Sequence, residues 1–155
     1  MPMDIRILPW EDRFAHDFLD ISVKWLEEFD LLEPIDLEML NDPHRDILDP
    51  GGQIFFALAG ETAIGTCGMQ PVEPGVYEVI KLGVSPAFRG HGAGKLLLEA
   101  CLDWARVQKA QRVVLYSNHK LQSALRLYRR CGFTPIPYVP GHYAVSDVQM
   151  EQHLS

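Results

Sequence analysis

A chain of 155 residues, 47% of them hydrophobic, has the length of one domain and enough apolar content to build a core, so residues 1–155 are read as a single domain. Its 14 basic and 21 acidic residues leave a formal charge of −7, which argues against general affinity for nucleic acid or for an anionic membrane surface. Three widely spaced cysteines, Cys67, Cys101 and Cys131, form no Cys-x-x-Cys pair and read as reduced, mostly buried thiols of a cytosolic protein. Residues 5–8 are a short strand candidate closed by Pro9. Residues 11–30 read as a helix, because Phe14, Phe18, Ile21, Trp25 and Phe29 recur at helical spacing, and this aromatic stripe is assigned to the core. A second short helix, 35–41, ends at Asp42-Pro43. Strands follow at 53–59 and 63–70 around a Gly60-Glu61 hairpin turn, and at 77–84. A long helix at 92–109, a strand at 112–117 and a helix at 120–130 stopped by Gly132 come next, and strands at 133–137 and 143–150 finish the chain. The order β-α-α-β-β-β-α-β-α-β-β predicts an α/β (α+β) fold with a mixed sheet of about seven strands and helices on both faces.

The most informative stretch is Arg89-Gly90-His91-Gly92-Ala93-Gly94. It lies between the strand Val79-Ile80-Lys81-Leu82-Gly83-Val84 and an amphipathic helix. A strand that runs through glycines into a helix N-terminus gathers unpaired backbone N–H groups around one point. With the helix dipole and the Arg89 guanidinium, these suit a phosphate or pyrophosphate. Glycine opens backbone angles closed to other residues and lets an anion approach the main chain. A plain glycine-rich turn is the alternative. Two nucleotide motifs fail: the glycines fall as Gly90-x-Gly92-x-Gly94 without an acid near 111–114, and Gly94 is followed by Lys95-Leu96 rather than by Lys and a hydroxyl.

The loop resembles the coenzyme A pyrophosphate loop of the GNAT superfamily of N-acyltransferases, Arg/Gln-x-x-Gly-x-Gly/Ala, with Arg89, Gly92 and Gly94 in the matching places. Val-Ser-Pro-x-x-Arg before it and Leu127-Tyr128-Arg129-Arg130-Cys131-Gly132-Phe133 after it extend the resemblance to about residues 53–138. Residues 25–52, with Asp49-Pro50-Gly51-Gly52, are similar to the acetyltransferase half of bacterial MarR-fused GNAT proteins, and no helix-turn-helix half is present. The resemblance implies the GNAT fold and acetyl-CoA as cosubstrate. Residues 89–95 (Arg89, Gly90, His91, Gly92, Ala93, Gly94 and Lys95) would cradle its phosphates, and the main chain of Leu82, Gly83 and Val84 would pair with the pantetheine amides as a false extra strand.

Alternation along the strand places Glu78, Ile80, Leu82 and Val84 on one face. A carboxylate in an apolar row has its pKa raised by desolvation and suits a base that takes a proton from an ammonium. A solvated strand end is the alternative. The resemblance puts Glu78 where histone-acetylating members keep the glutamate that deprotonates the acceptor amine. Tyr128 is either a proton donor to a departing thiolate or a packing residue of the stripe Leu121, Ala124, Leu125, Tyr128. The resemblance implies the acid role. Asn118 either caps the helix ahead of Lys120 or, as the resemblance implies, holds the pantetheine arm.

No metal site is read: histidines 16, 44, 119, 142 and 153 show no metal spacing, and Cys101 and Cys131 read as core and helix-end residues rather than nucleophiles. His91 occupies a variable loop position. The start Met1-Pro2-Met3-Asp4 carries no secretory pattern, and no apolar run reaches the roughly 20 residues of a membrane span. The expected protein is therefore a cytoplasmic, bacterial-type N-acetyltransferase for a small-molecule or peptide amine, with a homodimer left open. A coenzyme A-binding module without turnover and an unrelated phosphate-binding domain are the alternatives. The resemblance also implies that the first two helices and the loop at Glu73-Pro74-Gly75 shape the acceptor cleft. Glu27, Glu28, Asp30, Glu33, Asp36 and Glu38 there form either a solvated face or an attraction for a cationic amine.

Overall fold

The computed structural model describes residues 3–141 and 143–154. His142 and the Met1-Pro2 pair, both used in the sequence reading, lie outside the described residues. In chain order the elements are β1 (Ile5–Pro9), a 3-10 turn (Asp12–Phe14), α1 (Ala15–Glu28), α2 (Pro34–Asn41) and a π-helical turn (His44–Leu48). Then follow β2 (Gln53–Ala59), β3 (Thr62–Glu73), β4 (Val76–Val84), a second 3-10 turn (Pro86–Phe88), α3 (Ala93–Val107), β5 (Arg112–Ser117), α4 (Gln122–Arg130), β6 (Thr134–Ile136) and β7 (Val148–His153).

All seven strands form one sheet in the order β1-β2-β3-β4-β5-β7-β6. Strands β1 to β4 are antiparallel neighbours, turned through left-handed glycines at Gly60 (φ 61°) and Gly75 (φ 79°). β4 and β5 run parallel, which requires the crossover through α3. One face of the sheet packs on α3 and α4 through Val79, Leu82, Leu97, Cys101, Val113, Leu115 and Tyr128. The other packs on α1 and α2 through Phe14, Phe18, Leu40, Ile54, Phe56 and Ile80.

Beyond shifts at element ends and an unpredicted π-helical turn at His44–Leu48, two departures from the sequence reading bear on the site. The last strand is Val148–His153 rather than 143–150, and ahead of it the main-chain groups of Ala144 and Val145 are held by the side chains of Glu33 and Asn118 instead of by a neighbouring strand. β4 also does not alternate along its whole length. Its pairing with β3 slips between Thr66↔Gly83 and Gly68↔Ile80, leaving Lys81 and Leu82 opposite Cys67 alone, with Lys81 in the left-handed region at φ 53°. This bulge reverses the parity of the strand. Glu78 and Ile80 face α1, whereas Leu82 and Val84 face α3, so the single row of four is two pairs on opposite faces.

Candidate active site

β4 and β5 are paired only from Val76↔Arg112 to Val79↔Leu115. Beyond that point β4 continues to Val84 on β3, and β5 continues to Ser117 on β7. The sheet therefore parts, and a half-open cavity lies in the gap, with Glu78, Leu82, Asn118 and Tyr128 all in its walls. Four residues picked from separate parts of the sequence thus meet in one place.

Glu78 is buried at 3% exposure. Burial pushes its carboxyl up to about 7, opposed in smaller measure by the positive charge of Lys81. That value suits a group that accepts a proton near neutral pH, and it rules out the solvated strand end. The bulge turns the Lys81 side chain into the same wall, where Nζ lies 2.5 Å from Asp36 Oδ1 in a buried ion pair and 5.1 Å from the centre of the Tyr143 ring.

Tyr128 sits at the opposite side of the gap. α4 ends in two return bonds, Phe133 N–H to Tyr128 O (3.0 Å) and Gly132 N–H to Arg129 O (3.1 Å), with Gly132 at φ 100°. That glycine-dependent cap, with Phe133 edge-on to Tyr128 at 6.0 Å, fixes where the phenol points. Burial holds its pKa well above the ordinary value, so the hydroxyl keeps its proton. Both the packing and the cavity placement hold for Tyr128. Asn118 uses both ends of its amide on the protein: Nδ2 donates to Val145 O (2.6 Å), and Oδ1 accepts from Lys120 N–H (2.9 Å). The bond to Lys120 N–H closes a turn ahead of α4 rather than capping it, since the helix starts at Gln122 behind N-cap Leu121 with no side-chain cap bond. Ser117 was missed by the sequence reading. Its buried hydroxyl lines the same cavity and has no hydrogen-bond partner among the described residues.

The glycine loop lies outside this cavity, at the exposed N-terminus of α3. Gly90 and Gly92 have φ of 84° and 86°, and a Cβ at either would meet nothing within 4 Å, so backbone angle is what each needs from glycine. Gly94 is different: a Cβ there would lie 3.2 Å from Leu127, so it serves the approach of α4 to α3. No side chain caps the first turn of α3, so the amides of Ala93, Gly94 and Lys95 are available to an anion. Lys95 stands 3.9 Å from Glu99, and His91 is exposed. Arg89 does not simply face this anion site. Its guanidinium makes a two-pronged contact with Glu28 (2.8 and 2.9 Å), and Nε donates to Val84 O (3.1 Å).

The acidic run divides by partner. Glu27, Asp30 and Glu38 are exposed, Glu28 holds Arg89, and Asp36 is 2% exposed against Lys81. Glu33 opens α2 in a capping box with Asp36 and accepts the N–H groups of Ala144 (3.1 Å) and Val145 (3.0 Å). The segment so held places Tyr143, Val145 and Ser146 in the cavity wall. Residues 73–75 lie elsewhere: Gly75 O accepts from Gln111 and Arg112 N–H at the far end of β5, so that turn does not shape the cleft. Trp25 leaves the predicted core stripe and lines the cavity, against Gly83. No local sequence signal marks Lys81, Tyr143 or Trp25, because their places depend on contacts across the fold. Among the described residues no helix is long and apolar enough to cross a membrane, and no group of three His, Cys, Asp or Glu could hold a metal ion.

Comparison with known proteins agrees with this architecture. The chain is 34% identical over 106 residues to N-alpha-acetyltransferase RimI of Mycobacterium tuberculosis, covering 66% of this chain and 65% of that protein. It is 33% identical over 112 residues to N-acetyltransferase family 8 member 2 of Rattus norvegicus, covering 69% and 48%. The chain thus spans between about half and two thirds of the length of these relatives. A GNAT-family acetyltransferase from Staphylococcus aureus Mu50 superimposes with a TM-score of 0.89 at 21% identity, covering 98% of this chain and 100% of that one. The PaiA N-acetyltransferase of Thermoplasma acidophilum, solved in complex with coenzyme A, has a TM-score of 0.75 at 15% identity, covering 98% and 100%. The model of the Acetyltransferase (GNAT) family matches residues 10–133, most of the chain, and on that match the chain belongs to the acetyltransferase (GNAT) family.

Proposed function

We propose that the protein is an N-acetyltransferase that moves an acetyl group from acetyl-CoA directly to a primary amine within a ternary complex. The observation that carries this reading is one cavity, at the parting of β4 and β5, that holds both a carboxyl raised to about 7 and a protonated buried phenol. Glu78 takes a proton from the acceptor ammonium. The freed nitrogen attacks the thioester carbonyl carbon, the C–N bond forms as the C–S bond breaks, and Tyr128 gives its proton to the leaving sulfur; the acylated nitrogen then loses its second proton, which restores the neutral phenol by way of solvent, and Glu78 releases the first proton to solvent. The first-turn amides of α3 receive the pyrophosphate, with Gly90, His91, Gly92, Ala93, Gly94 and Lys95 around it. The unpaired edge of β4 at Leu82, Gly83 and Val84 offers main-chain groups to the pantetheine amides, and Asn118 lies beside that arm.

The reading extends to a cytoplasmic enzyme of bacterial type that acts without nucleic acid or membrane, as monomer or homodimer. Its proposed kin are the acetyltransferase halves of MarR-fused proteins. The charge of −7 and the free thiols of Cys67, Cys101 and Cys131 support the first part, and residues 25–52 support the second. The test is thiol release from acetyl-CoA across an amine panel, with the acetylated product weighed by mass spectrometry. Transfer in the wild type and its loss in Glu78→Gln is the expected result. Tight acetyl-CoA binding by calorimetry with no transfer to any amine would make the protein a coenzyme A-binding module instead.

A further inference from the structure

The charges around the cavity are balanced inside the protein before any acceptor arrives. Asp36 uses Oδ1 on Lys81 (2.5 Å) and Oδ2 on the Glu33 N–H (2.8 Å). Glu33 spends its own oxygens on Ala144 and Val145. Glu78 is left as the uncommitted carboxylate of the wall among the described residues. Around it stand Trp25, Leu31, Tyr116, Leu121, Tyr143 and Val145, a largely apolar and aromatic lining. Such a lining gains free energy by covering an apolar body.

One ammonium can be accommodated, because it hands its proton to Glu78 and reacts as the neutral amine. A second ammonium a few bonds away would enter beside Lys81 with no carboxylate left to pair it, and an unpaired buried cation is strongly disfavoured. We infer that the acceptor is a monoamine carried on an apolar or aromatic body, without a second cationic centre near the reacting nitrogen, and that Lys81 sets this preference. The inference rests on the acetyl-transfer reading of the same cavity. It disfavours polyamines and aminoglycosides among the acceptors that the acidic sequence run left open, because Asp36, the acid of that run in the wall, is already paired, and exposed Glu38 lines only the neighbouring cleft beyond Tyr143.

The test uses the full chain with acetyl-CoA and 2-phenylethylamine, n-butylamine, 1,4-diaminobutane and spermidine, read by product mass and thiol release. The kcat/KM for n-butylamine should exceed that for 1,4-diaminobutane by about tenfold or more, with 2-phenylethylamine highest and spermidine lowest. Lys81→Met, which frees the Asp36 carboxylate, should close or reverse the gap between butylamine and diaminobutane. Asp36→Asn, which keeps the cation without its counterion, should widen it about tenfold and serves if Lys81→Met does not fold. A wild type that prefers diaminobutane or spermidine overturns the inference and leaves the transferase reading standing. So does an unaltered ratio in the folded variants. Acetylation of none of the four amines alongside transfer to another amine of the wider panel overturns this inference alone, whereas acetyl-CoA binding with no transfer to any amine of that panel removes the transferase reading and this inference together.

Discussion

Replacing Glu78 with glutamine separates what this carboxylate costs the fold from what it gives the reaction. In the folded protein the carboxyl stands at about 7, against an ordinary value of 4.5, because burial disfavours its charge. Below about 4.5 both the folded and the unfolded chain keep the proton and the group is neutral in its effect. Between 4.5 and 7 the unfolded chain releases a proton that the folded protein retains, so stability falls as pH rises. At about 1.36 kcal/mol per pH unit, the loss reaches about 3 kcal/mol by pH 8, a large share of the 5–15 kcal/mol typical of a domain. Glu78→Gln does not titrate. The difference in unfolding free energy between wild type and variant should therefore shift by about 2–3 kcal/mol between pH 5 and pH 8, in favour of the variant at the higher pH. Urea titrations followed by the fluorescence of Trp10, Trp25 and Trp104 would measure it. The same substitution should lower turnover by about 10²–10⁴-fold, and the wild-type rate should rise through about pH 7 as the base loses its proton. A stability difference that stays constant across pH would refute the burial argument, and unchanged turnover would refute the base.

Three further outcomes are expected. Tyr128→Phe keeps the ring packing and should lower turnover with acetyl-CoA by about 10²–10⁴-fold, less with an acyl donor of more acidic thiol; an equal loss with both donors would leave Tyr128 a packing residue. Gly92→Val must adopt a left-handed backbone at φ 86°, at a cost of about 1–2 kcal/mol, and should weaken acetyl-CoA binding by about tenfold or more, with calorimetry on the folded variant as the check. Because Glu28 already holds Arg89, Arg89→Ala should weaken acetyl-CoA by about 1 kcal/mol and Glu28→Gln should tighten it by a similar amount; weaker binding in Glu28→Gln would mean that Arg89 acts by anchoring α1.

What the sequence made legible was local or periodic. The run from Val79 to Gly94 shows a strand, a glycine turn and a helix because glycine and apolar spacing report backbone angle and burial directly. Gly132 announces the cap that aims Tyr128, and the oddity of Glu78 is a carboxylate among apolar neighbours. The bulge at Lys81 carried no such signal, since lysine has no preference for φ 53° and the shift is imposed by the register between β3 and β4. The Lys81–Asp36 pair joins residues far apart in sequence, and the acids of α1 and α2 could not be sorted into exposed and committed groups without it. The late start of β7 has the same origin. Tyr143, Ala144 and Val145 look like a strand by composition, but Glu33 and Asn118 take the main-chain groups of Ala144 and Val145.

The bulge also decides which residues of β4 share the side of Tyr128. In an unbroken strand Glu78 and Leu82 would share a face, and the wall facing α3 would not receive Leu82. The extra residue leaves Glu78 directed at α1 and α2 while Leu82 joins Tyr128 on the side of α3 and α4. The proposed base and the proposed acid therefore stand on opposite faces of the sheet, and both line the cavity at the gap beyond Val79↔Leu115. A base on one side and a proton donor on the other suit direct displacement: the amine enters along one face while the thiol departs along the other, and neither product need pass its partner. The bulge carries Leu82, not Glu78, across to the side of Tyr128; Glu78 lies ahead of it, in the stretch of β4 that is still paired with β5. Lys81, the residue at the bulge, also supplies the cation that balances Asp36 in the acceptor wall.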